Sequence, residues 1–114
     1  MFEWITSWFQ AEPVPIEIKT DIDHTVNSNK VVVYSKTYCP YCSSTKSLFE
    51  NLKVPNVKVV ELNLLNKGSL IQRGLYEKTG QNTVPNIFIN QKHVGGNSDL
   101  QALNAQGKLK QLLE

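Results

Sequence analysis

Two cysteines, Cys39 and Cys42, close the stretch Lys36-Thr37-Tyr38-Cys39-Pro40-Tyr41-Cys42, and the 114-residue chain has no others. A pair at this spacing can be a structural staple, half of a metal site or a working thiol pair. A staple across so short a loop restricts the unfolded chain little, and secreted disulfide scaffolds carry several pairs at wider spacing. A zinc site needs four ligands, and the two histidines, His24 and His93, stand in different segments without ligand-pair spacing. The third reading has chemistry behind it. On a first helical turn, residues i and i+3 come close enough to form or open a disulfide. The free amides of a helix start and the positive end of its dipole stabilise a thiolate more than a thiol. Lys36 adds positive charge three residues upstream of Cys39, and Pro40 suits an early helical position because it has no amide to leave unpaired. On this reading Cys39 attacks and Cys42 resolves.

The elements around the pair follow from hydrophobic spacing. Ile18, Ile22 and Val26 recur every four residues, which predicts an amphipathic helix over 16–28. VVVYS at 31–35 reads as a buried strand. STKSLFENL after the cysteines is helical, VKVVELNL at 57–64 reads as a second strand, and SLIQRGLYEKT forms a helix closed by Gly80. NIFIN at 86–90 and the short KHV run read as a hairpin, and two helices follow, the first with Ser98 as its expected cap. A helix between the first two strands makes them parallel, and a hairpin makes the last two antiparallel. The expectation is an α/β domain, a small mixed sheet with helices on both faces. Cys39 then falls just past the carboxyl end of the first strand, at the edge where open α/β sheets bind ligands.

Composition removes several classes. With 40% hydrophobic and 19% charged residues the chain can build a core without staples. A net charge of +2, with its 12 basic residues scattered, gives no electrostatic footprint for nucleic acid. No apolar run approaches a membrane span. The opening MFEWITSWFQAEPVP is apolar and aromatic, but it lacks a basic start and a small-residue cleavage site, and Glu3 interrupts it, so it makes a poor signal peptide. Residues 1–15 are expected to form an arm outside the core, separated by Pro13 and Pro15, with a surface anchor as the alternative.

KTYCPYC, TVPNIFIN and GGNSDL, in this order and spacing, resemble a dithiol glutaredoxin of the CPYC class, the fungal members most of all, from about residue 17 onward. The resemblance implies a thioredoxin-like fold, a four-stranded mixed sheet flanked by helices, over residues 16–114. It implies glutathione as reductant and co-substrate, no resident metal, and disulfide-bonded or glutathionylated proteins as partners. It also implies a monomer, in the cytoplasm with an organellar fraction left open. Carried over residue by residue, Cys39 and Cys42 are the catalytic pair. Lys36 and Gln72 would hold the glycine carboxylate of glutathione, Tyr41 would wall the groove, and Thr83, Val84 and Pro85 would receive the cysteinyl part across a cis Val84–Pro85 bond. Gly96, Asn97, Ser98 and Asp99 would take the γ-glutamyl end, amides meeting its carboxylate and Asp99 its ammonium. A helix start suits the first group and a carboxylate the second. Alone, Gln72 is a surface residue and Ser98 a cap; their combination with CPYC is what reads as a binding site.

Two rivals stand beside this reading. One is an iron–sulfur module in which two chains bridge a cluster through Cys39 and bound glutathione. Against it, the cluster-binding members of the resembled family generally have a small residue where Pro40 stands. The other is a thioredoxin-like protein fed by a reductase, although thioredoxins usually carry Gly-Pro between their cysteines.

Overall fold

The computed structural model describes residues 13–114. The aromatic segment 1–12, expected to be an arm, lies outside the described residues. Helix α1 (Ile16–Ser28) buries Ile18, Ile22 and Val26 on one face, as their spacing requires. The Pro15 carbonyl opens its hydrogen-bond ladder, accepting from Ile18 N at 3.1 Å. The arm was expected to stay outside the core through residue 15, and Val14 corrects this. It is buried in the same cluster as Ile18 and Ile22 because its apolar side chain sits one turn before them on the same face.

Strand β1 (Val31–Ser35) is buried along its whole length. It is followed by α2 (Pro40–Asn51), β2 (Lys58–Glu61), a 3-10 turn (Leu62–Leu64), α3 (Gly68–Thr79), β3 (Asn86–Ile89), β4 (Lys92–Gly95), α4 (Asn97–Ala105) and α5 (Leu109–Leu113). The four strands make one mixed sheet in the order β2-β1-β3-β4. β1 runs parallel to β2 and antiparallel to β3, and β3 pairs antiparallel with β4 through a register shift between Ile87 and Phe88. Side chains alternate across the sheet. Val32, Tyr34 and Phe88 point to one face and pack under α1 and α3. Val31, Val33, Ile87 and Ile89 point to the other, against Phe49 of α2, Leu100 of α4 and Leu109 of α5. The expected α/β architecture with helices on both faces is the one observed.

The second strand is shorter than its sequence pattern suggests. VKVVELNL reads as one run, yet β2 stops at Glu61, opposite Ser35, the last residue of β1. Beyond that pair there is no neighbouring strand to bond, so the chain tightens into the 3-10 turn and turns Leu62 into the core. Gly68, the first residue of α3, then packs directly on the Leu62 carbonyl, leaving no room there for a Cβ. At the far end of α3, Gly80 takes a left-handed conformation (φ 79°), and its N–H donates to the Tyr76 carbonyl at 2.8 Å, the expected close of that helix.

Candidate active site

The sheet delivers its carboxyl edge at Ser35, and the four residues that follow turn the chain into α2. Cys39 N donates to the Lys36 carbonyl at 3.1 Å. The Asn63 side chain, on the 3-10 turn after β2, clamps this turn from the side. Its Oδ1 accepts from Thr37 N at 3.0 Å and its Nδ2 donates to Thr37 Oγ1 at 2.7 Å. Cys39 is the N-cap of α2 in extended backbone (φ −94°, ψ 115°), with Pro40 directly after it. Its sulfur accepts the Cys42 amide at 3.3 Å, so one of the orphan donors of the helix start is spent on the Cys39 sulfur.

The two sulfurs are unequal. Both are free thiols; Cys39 is half-buried and Cys42 is fully buried. Burial pushes the Cys42 thiol up, and the neighbouring Cys39 thiol adds to this. Hydrogen bonds from the Lys36 backbone and the Ser35 hydroxyl pull it partly back. On the same face of the sheet the Glu61 carboxylate accepts from Lys46 Nζ at 2.7 Å. Burial raises the Glu61 carboxyl, but the bonds from Lys46 and Ser35 outweigh it and hold the group below its ordinary range.

The second wall comes from the loop between α3 and β3. The Val84–Pro85 bond is cis, as expected, and the Cys39 thiol faces the Val84 carbonyl at 3.8 Å. Beside it opens a groove of about 440 Å³ lined by Tyr41, Thr83, Val84, Pro85, Gly96, Asn97 and Ser98. A second hollow of about 270 Å³ is bordered by Lys36, Tyr38, Asn63 and Gln72 among others. The segment that carries Cys39 contributes to both, Tyr41 to the first and Lys36 and Tyr38 to the second. All the expected site residues except Asp99 and the cysteines line one of these two hollows.

Three of those residues have structural partners that the sequence did not reveal. Ser98 is not the cap expected for α4. It is the second residue of the helix and exposed, while Gly96 occupies the N-cap. The cap is instead served by Asp99, whose Oδ2 accepts the Gly96 N–H at 3.0 Å in the manner of a capping box. Gly95 (φ 122°) lets that carboxylate approach, since a Cβ there would collide with Oδ2. Asn97 Oδ1 accepts from buried Thr45 on α2 at 2.9 Å and from Gln101 at 3.2 Å, which ties α4 to α2. Gln72 donates to the Asn82 carbonyl at 2.9 Å.

Sequence reasoning missed Gln81 and the part played by His93. Gln81 Nε2 donates to the carbonyls of Thr83 at 3.0 Å and Pro85 at 2.9 Å, and its Oε1 meets His93 Nε2 at 3.2 Å. The signal was a carboxamide just ahead of TVP, a segment whose carbonyls have no strand to pair with. Burial holds the His93 imidazole below its ordinary range, against the opposing pull of Asp99. Among the described residues no group of three or more His, Cys, Asp or Glu comes together as a metal site.

This geometry has counterparts. A family model, Glutaredoxin, matches residues 31–94. Glutaredoxin-1 of Saccharomyces cerevisiae is 54% identical over 92 residues, spanning 78% of this chain and 84% of the yeast protein. A glutaredoxin of Ricinus communis is 52% identical over 94 residues, spanning 82% and 91%. The crystal structure of a buckwheat glutaredoxin–glutathione complex superposes with a TM-score of 0.85 at 41% identity, covering 90% of this chain and 93% of that one. The family model over residues 31–94, the identity to these relatives and the superposition on the buckwheat protein together place the chain, with its Cys39-capped helix beside a cis-proline loop, in the glutaredoxin family.

Proposed function

We propose that the chain is a glutathione-dependent thiol–disulfide oxidoreductase that attacks with Cys39 and resolves with Cys42. The observation that carries this reading is the setting of Cys39. Its sulfur caps α2, receives the Cys42 amide at 3.3 Å and faces the Val84 carbonyl at 3.8 Å, beside a groove within the roughly 300–1,000 Å³ usual for small-ligand sites. A buckwheat relative of the same fold has been solved with glutathione, which supports the choice of co-substrate.

In the first step the Cys39 thiolate attacks the glutathionyl sulfur of a mixed disulfide. A Cys39–glutathione bond forms, the bond to the protein sulfur breaks, and the departing thiolate takes a proton from water. A second glutathione thiolate then attacks the glutathionyl sulfur on Cys39, leaving as glutathione disulfide and restoring the Cys39 thiolate. With a protein disulfide, the Cys39 thiolate attacks one protein sulfur, the protein S–S bond breaks, and the other sulfur leaves as a thiolate. Cys42 then gives up its proton and attacks Cys39, the second protein thiolate leaves, and two glutathiones reduce the resulting bridge. Potentials of about −200 to −230 mV are typical for such proteins, within reach of the cytosolic glutathione pool.

The binding roles follow the two hollows. Tyr41 and the Thr83–Pro85 loop flank the cysteinyl part, with the Val84 backbone as its pairing edge. The unpaired amides of the first turn of α4, at Asn97 and Ser98 beside Gly96, take the γ-glutamyl carboxylate. Asp99 keeps Oδ1 for the ammonium while Oδ2 stays with Gly96. Lys36 and Gln72, across the Cys39 segment, take the glycine carboxylate. Chemistry that depends on reduced glutathione favours the cytoplasm as the working compartment, and we take the unit to act as a single copy.

The test compares two variants on two substrates. Cys39→Ser should abolish turnover of both a glutathionylated peptide and a protein disulfide. Cys42→Ser should keep the first and lose most of the second, because only the second needs resolution. If Cys42→Ser silences the glutathionylated peptide as completely as Cys39→Ser does, the one-thiol mechanism is wrong.

A further inference from the structure

The loop that presents Val84 has no strand beside it to fix its shape, and one side chain supplies the missing partner. Gln81 Nε2 uses both its protons, one on the carbonyl of Thr83 (3.0 Å) and one on that of Pro85 (2.9 Å), the residues on either side of Val84. The Gln81 backbone is anchored in turn, its N–H donating to Thr79 Oγ1 at the end of α3 at 3.0 Å. His93 of β4 meets the remaining carboxamide atom, Oε1, at 3.2 Å, so every polar atom of this side chain is engaged. The amide has one workable orientation, since the reversed one would set its oxygen against two carbonyls. Among the described residues Val84 itself makes no backbone–backbone hydrogen bond, and its carbonyl meets only the Cys39 thiol at 3.8 Å. The same carboxamide reaches the opposite wall of the groove, 3.9 Å from where a Cβ on Gly96 would lie.

From this arrangement we infer that Gln81 is a positioning residue for glutathione recognition. It occupies the two carbonyls flanking Val84, leaves the Val84 backbone free to pair with the cysteinyl part of the substrate, and sets the distance of that edge from Cys39, with His93 as the strut that orients it. The inference rests on the glutathione-dependent function proposed above. It predicts that Gln81 contributes to binding the peptide backbone of the substrate and not to the reactivity of the sulfur.

The test uses the full chain with Gln81→Met, which keeps the side chain's length and neutrality but removes both donors. Turnover of a glutathionylated peptide with glutathione should fall by about tenfold or more in kcat/KM, mainly through KM, because two carbonyls lose their partner. Alkylation of Cys39 by iodoacetamide, which needs no groove, should stay within about twofold of the parent rate, a split that marks binding as the step affected. His93→Leu should lower kcat/KM in the same direction, and His93→Gln, which can still donate to Gln81, should recover it. A Gln81→Met protein with unchanged kcat/KM would overturn the inference, and so would equal losses in turnover and alkylation. If the parent chain fails to turn over the glutathionylated peptide, the functional reading fails instead. The positioning claim is then decided by the Val84 amide resonance, which Gln81→Met must shift and whose constancy would refute it.

Discussion

At the residue scale, burying the Cys42 thiol has a consequence that reaches beyond catalysis. In the folded chain burial pushes this thiol above its ordinary value, while in the unfolded chain it ionises near about 8.5. The folded state therefore holds the proton more tightly. The stability this contributes is complete below the unfolded value and is lost as pH rises from there through the folded value. In a Cys39→Ser background, where only this sulfur titrates, the melting temperature should decline through the alkaline range. Adding Cys42→Ala should flatten that decline, although it lowers stability overall by opening a small cavity. Parallel melting curves for the two proteins from about pH 8 to pH 10 would show that Cys42 titrates alike in both states. On the mechanism proposed above, the same burial would keep Cys42 a thiol until Cys39 has been captured, separating the first exchange from the second.

At the scale of elements, the close approach of α3 to the 3-10 turn is the contact that tolerates least change. The Cβ of an alanine at position 68 would have to displace backbone, the Leu62 carbonyl, and not the end of a flexible side chain. Gly68→Ala should therefore destabilise by about 1–3 kcal/mol, the range for overpacking a tight contact, even though alanine is the better helix former. Urea unfolding checks this, and an unchanged midpoint would mean that the turn yields easily. Both Leu62 and Gly68 border the hollow that holds Lys36 and Gln72, so the variant should also weaken binding on that side.

Element types were readable from residue order because each rests on a local signal. Ile18, Ile22 and Val26 marked a helical face, the VVVYS run a buried strand, and Gly80 a helix end. The end of β2 was not readable, since it depends on where its partner β1 stops, which is a fact of pairing and not of composition. At the site, CPYC announced itself through chemistry, and TVP through the resemblance it carries together with CPYC and GGNSDL. Thr45 did not, because its partner Asn97 lies 52 residues away and only tertiary packing brings the two together. Gln81 and Asp99 serve backbone groups two to four residues away, and those bonds depend on how the local chain turns back on the side chain.

At the scale of the whole molecule, the motif-bearing residues all fall after the two prolines that follow the N-terminal segment, and among the described residues the core begins at Val14. We propose that residues 1–12 are dispensable for catalysis. Deleting them while keeping Val14 should leave turnover with glutathione nearly unchanged. A loss beyond about tenfold, equivalent to ~1.4 kcal/mol of transition-state stabilisation, would mean that the segment builds part of the site.

The sheet's outer strands carry one further consequence, for behaviour at high concentration. β2 and β4 have four residues each, each opens with a lysine, Lys58 and Lys92, and the pairing of β4 is broken by the shift at Ile87 and Phe88. Unpaired strand edges are templates on which another chain can add, and shortness, lysine and irregular register are the features that blunt them. The protein thus guards both margins of its sheet against aggregation by edge-to-edge growth, while the thiol pair follows β1, one of the two inner strands.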